Sequence, residues 1–148
     1  MNALILSMIL SFVPISELRL AIPLAIASNV NPFIAFIACL AINLLVAPFV
    51  FFALDKIYTK VFKKSLREHG IIQKLSKKKI TKKVEKYGFM ALVLFVAVPL
   101  PVTGAWTGSL VAWILGLNEK KSILAISIGI TIAAVIVTLA SIGVFSLI

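Results

Sequence analysis

An acid and a base, Glu17 and Arg19, stand between Pro14 and Pro23 inside an apolar run from Met1 to Ala27. A charge at the centre of a membrane-spanning helix costs about 2.5–3.5 kcal/mol on insertion scales, so each needs a partner or a wet cavity. The planar fork of an arginine grips a phosphate or carboxylate with two bonds, which suits Arg19 to an anionic substrate group. Glu17 then carries a proton, or serves as counter-ion to Arg19 when substrate is absent, with the Ser16 hydroxyl beside it. The competing use is structural: bonds to each other, or to the other half of the chain, that lock the bend holding them. On a regular helix two such positions point about 200° apart, whereas an extended tip puts them on one side. Pro23 also frees the Arg19 carbonyl from its helical partner.

A second polar group lies at Thr103, Trp106 and Thr107, around Gly104 and Gly108. Either these side chains line the same cavity, or Gly104 and Gly108 form the close-packing face that small residues four apart allow. Asn43 falls on the stripe Ala35, Cys39, Asn43, Ala47, where an amide is glue between helices or a ligand. Ala125, Gly129 and Ala133 mark a similar packing face, and Trp113 suits an anchor at the membrane surface. One His, one Cys and no cluster at metal-ligand spacing argue against an enzyme, a metal site and a cofactor.

Composition indicates what positions these groups. With 61% hydrophobic residues and mean hydropathy +1.14, the 148-residue chain reads as an all-helical integral membrane protein of one domain. The formal charge of +10 is concentrated, since Asp55 to Lys86 holds twelve of the fifteen basic residues against three acidic ones. Apolar residues at helical spacing from Ile57 to Leu66 and from Ile71 to Tyr87, with a break at Gly70, give two short amphipathic helices on an anionic membrane surface, or a solvated loop. No aromatic platform accompanies the lysines, which argues against nucleic acid. His69 receives no role, and Cys39 has no second cysteine to pair with. Ala25-Ile26-Ala27 resembles a leader cleavage site, but no basic residue precedes the apolar run, and Glu17, Arg19 and Pro23 interrupt it.

Two runs, Phe33 to Leu54 and Ser122 to Ile148, are long enough to cross a bilayer core of about 30 Å, although Asn43 and Pro48 interrupt the first. The other two are broken in the middle, one by Pro14 and Pro23, the other by Pro99, Pro101, Gly104 and Gly108. As helix, their limbs reach roughly half the bilayer, the geometry of a re-entrant hairpin whose tip is buried in protein or lines water. The expected order is hairpin 1 over 1–31, a transmembrane helix over 32–54, the basic segment over 55–87, hairpin 2 over 88–117, and a turn with a transmembrane helix over 118–148.

Displaced by 87 residues, the chain overlays itself without a gap: Pro14-Ile15-Ser16 on Pro101-Val102-Thr103, Ala25 on Ala112, Asn31 on Asn118, and Ala38 on Ala125. Each half is then a re-entrant helical hairpin followed by a transmembrane helix. Retention of basic loops in the cytoplasm places 56–86 inside together with the Asn118-Glu119-Lys120-Lys121 turn, which inverts one half against the other. Inverted repeats whose broken helices meet at the midplane are a transporter architecture. Two spanning helices hardly shield two tips from lipid, so a homodimer or larger assembly is expected.

Pro14 to Pro23 carries E-L-R-x-A-I-P, and Pro99-Leu100-Pro101-Val102-Thr103-Gly104-Ala105-Trp106-Thr107-Gly108 carries P-x-P-x-T-G-A-W-T-G. In both motifs, and over nearly its whole length, the chain resembles the putative small multidrug export protein family, and more distantly the DedA or VTT superfamily of membrane proteins. The resemblance implies paired re-entrant hairpins in inverted repeats and, through the distant superfamily, movement of lipids or polyprenyl phosphates across the bilayer. The arginines that the DedA pattern places in the second hairpin are missing from this sequence. The expectation is a multi-pass transporter or translocase of the cell membrane for an amphiphilic anion such as a lipid phosphate, with the proton as candidate coupling ion. The alternatives are a proton-coupled exporter of hydrophobic, drug-like cations and a membrane scaffold that transports nothing. Arg19 favours the anion, because a cation exporter would present an unopposed acid.

Overall fold

The computed structural model describes residues 3–14, 16–57, 82–100 and 103–147. These residues form seven helices and no strand: α1 (Ala3–Phe12), α2 (Glu17–Ala27), α3 (Pro32–Leu44), α4 (Val46–Ile57), α5 (Lys82–Ala97), α6 (Ala105–Ile114) and α7 (Glu119–Phe145). The amphipathic helices expected in the basic segment fall mostly outside the described residues, as do Ile15, Pro101 and Val102.

The helix ends have local causes. Pro14 offers no N–H and pushes its predecessor out of the helical region, so α1 stops at Phe12. At the end of α2, the Asn29 and Val30 N–H groups reach back to the Ile26 and Ala25 carbonyls, both at 3.0 Å, with Asn29 at φ 61°. The end of α6 closes in the same way, Gly116 and Leu117 bonding the Trp113 and Ala112 carbonyls, both at 3.0 Å, with Gly116 at φ 65°. A left-handed residue with this pair of reverse bonds is the Schellman closure. An asparagine then opens the next helix: Asn31 Oδ1 accepts from Phe33 N–H at 2.9 Å, ahead of α3, and Asn118 Oδ1 from Lys121 N–H at 3.3 Å, ahead of α7.

The apolar run expected as one helix over 33–54 is interrupted at Leu45. Pro48 lacks the N–H that would bond the Leu44 carbonyl, and the turn tightens, with Leu45 N–H on the Ile42 carbonyl at 3.2 Å. Together α3 and α4 still give 26 residues of mean hydropathy 2.6, and Glu119–Val144 matches both figures. At 1.5 Å per residue each reaches about 39 Å, enough for a hydrocarbon core of about 30 Å. By contrast α1, α2 and α6 hold 10, 11 and 10 residues and reach about 15–17 Å.

Two residues expected to break the chain do not. α2 runs through Pro23, where only the Arg19 carbonyl loses its helical partner while Leu18, Ala21, Ile22 and Ala25 stay buried against their neighbours. α6 runs through Gly108, which serves packing instead. The bends therefore lie between α1 and α2 and between α5 and α6.

At the centre α7 packs against α2, α3, α4, α5 and α6. Ser127, Thr131, Thr138 and Ser141 survive in this apolar helix by donating to the carbonyl four residues back, at 2.7–2.8 Å. Val96 of α5 fits between two glycines: a Cβ on Gly108 would lie 2.7 Å from Val96 Cγ2, and one on Gly129 would lie 2.7 Å from Val96 Cβ and 2.9 Å from the Val93 carbonyl. Gly129→Ala is expected to cost about 1–3 kcal/mol, the usual effect of overpacking. Thermal unfolding in detergent reads it, and an unchanged transition would mean that α5 and α7 are not in this close contact. The outer surface is apolar, with Leu20, Phe33, Phe52, Leu94, Ile114 and Leu139 all more than half exposed, as a chain solvated by lipid requires.

Candidate functional site

The two bends meet, and their polar residues are shared between them. At the first, the Glu17 N–H bonds the Val13 carbonyl at 3.0 Å, and Ser16 Oγ donates to the Leu10 carbonyl at 2.6 Å, tying the bend to the end of α1. Glu17 opens α2 at φ 44°, a left-handed conformation that costs a residue with a side chain about 1–3 kcal/mol. Its carboxylate crosses to the second bend, where Oε1 accepts the Trp106 N–H at 3.3 Å. An anion there meets the positive end of the α6 dipole. Space for it comes from Gly104, where an added Cβ would overlap the carboxylate. The φ of Gly104, 175°, is extended backbone open to any residue, so the glycine answers to volume alone.

Arg19 turns to the other side of that bend. Nη1 donates to the Leu100 carbonyl, and Nη2 donates to the Val98 carbonyl at 3.2 Å and to Thr103 Oγ1 at 2.9 Å. The Thr103 hydroxyl faces the same two carbonyls, at 2.7 and 3.0 Å. They follow the last turn of α5, so the cation sits at the negative end of that helix. The acid thus holds the start of α6 and the base holds the end of α5. The extended tip with both charges on one side is corrected: both lie in the first turn of α2 and diverge. Of the two structural uses open to the pair, bonds to the other half are the one present.

Trp106 answers from the second bend. Its Nε1 donates to the carbonyl of Phe12, the last residue of α1, at 2.8 Å. Its ring packs edge-on to Phe12 and Phe49, with centroids 5.8 and 6.1 Å away. Each bend is therefore strapped by a donor from the other. Trp106→Phe keeps an aromatic ring but removes that bond and part of the indole packing, so a loss of at least about 1 kcal/mol is expected on thermal unfolding; no loss would mean the Phe12 carbonyl finds another donor and the ring contacts carry no weight. Thr107 is turned inward on its own helix, its Oγ1 accepting the Gly104 N–H at 3.0 Å.

Asn43 glues α3 to α1: its Nδ2 donates to the Ser11 carbonyl at 2.7 Å, while Ser11 Oγ donates to the Cys39 carbonyl at 2.8 Å. Ser11 and Phe12 are site neighbours that the sequence reading passed over. The signal for Ser11 was present, because Ser7 and Ser11 stand four apart on an apolar helix, as Cys39 and Asn43 do on α3. Trp113 Nε1 donates to Asp55 Oδ1 at 3.0 Å, joining the ends of α6 and α4 where charge begins. Among the described residues, no group of three or more His, Cys, Asp or Glu side chains is placed to hold a metal.

A family model described as "Putative small multi-drug export protein" matches residues 17–136, from Glu17 through the second bend and α6 into α7. No curated protein and no solved structure matches the chain.

Proposed function

Because the chain belongs to the putative small multi-drug export family, we propose that this membrane protein exports amphiphilic compounds and that the meeting of its two bends is the gate. The observation that carries this reading is the exchange of donors, Arg19 to the end of α5 and Trp106 to the end of α1. Alternating access would part the bends and break these bonds.

The order of elements supports two repeats. Ser16 and Thr103, Arg19 and Trp106, Asn29 and Gly116, and Asn31 and Asn118 are all 87 apart, and each pair does comparable work at its own bend, helix end or cap. In this reading α1–α2 and α5–α6 are re-entrant hairpins of opposite orientation, and the basic segment 56–86 is cytoplasmic. Pro14, Val98 and Leu100 are exposed at the bends, and irregular backbone at membrane depth needs protein cover, which a second copy of the chain supplies.

For the substrate, the favoured class is an anionic amphiphile. Glu17 is 6% exposed and Arg19 more open, so a molecule arriving from lipid meets the cation first. The Arg19 Nε is a buried donor without a partner, and a phosphate or carboxylate would out-compete neutral carbonyls for the guanidinium. The family description favours a second reading, export of hydrophobic cations, with Glu17 as the binding acid. Reconstituted vesicles carrying a fluorescent lipid phosphate or, separately, a cationic dye decide between them. Arg19→Ala is expected to abolish lipid-phosphate movement and spare dye flux. Loss of dye flux alone reverses the assignment, and a wild type that moves neither is a scaffold.

A further inference from the structure

Asn43 is fully buried, and with Nδ2 committed to the Ser11 carbonyl its Oδ1 is left without a hydrogen-bond donor. A buried amide oxygen in that state costs about 1–3 kcal/mol. Asn43 lines a cleft with Glu17, Arg19 and Gly104, closed by Leu18, Val96, Ile130 and Ala133; Arg19 Nε, the other buried group without a partner, makes no bond to Asn43. The cleft has no room for a water molecule, so water cannot satisfy Oδ1. Glu17, whose Oε1 already faces the Trp106 N–H, has its second oxygen against Gly104 on the wall of the same cleft. A proton on that oxygen would supply the missing donor.

We infer that Asn43 and Glu17 together form a proton site, in which a neutral Glu17 carboxyl donates to Asn43 Oδ1. The inference deepens the export reading by naming its coupling ion. Proton uptake converts a carboxylate to a carboxyl whose carbonyl oxygen keeps the Trp106 N–H, while its hydroxyl turns to Asn43. Release returns the negative charge to the start of α6. Few other groups compete. Among the described residues, Arg19 on the same helix is the one charge that acts on Glu17, and on α3 the one titratable side chain, Cys39, faces α1, against the Ser7 carbonyl. α1 carries none among its described residues, α6 carries none, and the charged residues of α5 and α7 stand at the far ends of those helices, at 82–86 and 119–121. With Glu17 neutral, Arg19 loses its counter-charge and gains attraction for an anion, so proton and anionic substrate would bind together. Asn43 acts here as a positioning residue.

Infrared difference spectroscopy on the full chain in lipid nanodiscs, taken across a pH titration, tests the site without any transport assay. A protonated-carboxyl C=O band is expected that disappears in Glu17→Gln and shifts to higher wavenumber in Asn43→Leu, where the hydroxyl loses its acceptor. Ser11→Ala loosens the same α1–α3 contact without touching the cleft and should leave the band in place. A band unmoved by Asn43→Leu, a band moved as far by Ser11→Ala, displacement of the band by sodium at fixed pH, or no Glu17 band at all overturns the inference. A chain that shows the band yet moves no amphiphile in vesicles refutes the export reading and leaves the proton site standing.

Discussion

Gly104→Ala lowers stability by about 3 kcal/mol, at the upper end of what overpacking costs, and Glu17→Ala in the same chain recovers most of the loss. The added methyl has nowhere to go, since its position is filled by the Glu17 carboxylate. The carboxylate must then leave the start of α6, and with it goes the charge that justified a left-handed residue at 17. Backbone strain at 104 plays no part, because φ 175° suits alanine as well as glycine. The double-mutant cycle, read by thermal unfolding in detergent, separates this from general crowding, since residues in direct contact couple by about 0.5–3 kcal/mol. Equal losses from Gly104→Ala with and without Glu17 would show that the two do not touch.

Arg19→Ala has the second large effect, and it acts on both stability and flux. It strips the guanidinium from the Val98 and Leu100 carbonyls and from Thr103 Oγ1. The carbonyls belong to exposed residues, so the loss is that of the charge-assisted bonds, about 1.5–3 kcal/mol each, and a total near 3 kcal/mol is expected once Thr103 takes over one carbonyl. Arg19→Lys restores the charge but brings a compact ammonium in place of the fork. It should recover part of the stability and little of the lipid-phosphate movement, as measured by unfolding and vesicle flux side by side. Full recovery of flux by lysine would mean that charge alone serves, and would remove the argument for two-point recognition.

The bends were legible because prolines act locally. Pro14, Pro99 and Pro48 each delete an N–H and crowd the preceding turn, and the chain departs from regular helix near all three. Asn31 and Asn118 were legible as members of a repeated pattern before either was seen to cap a helix. Pro23 misled for the converse reason: a single missing bond is tolerable where the flanking residues of the helix are buried against neighbours. For Glu17 and Arg19 the sequence left open whether they pair with each other or bond the other half of the chain, and it could not name the partners. They lie 79 to 89 residues away along the chain, and the choice between mutual pairing and bonds to the second bend was made by packing of α2 between the two halves. Gly104 looked like half of a packing motif with Gly108; only the fold reveals that one accommodates a carboxylate and the other a valine.

The proposed gate is tested most directly by fastening it. Phe12 and Trp106 are in edge contact across the two bends, with ring centroids 5.8 Å apart. With Cys39 replaced by alanine, a Phe12→Cys/Trp106→Cys chain is reconstituted, its flux measured before and after the two thiols are bridged by a short bis-methanethiosulfonate reagent, which spans the space the two rings occupied, and again after reduction. Flux that stops on cross-linking and returns on reduction is the result predicted for bends that must separate during transport. Undiminished flux through the fully cross-linked protein would contradict the account.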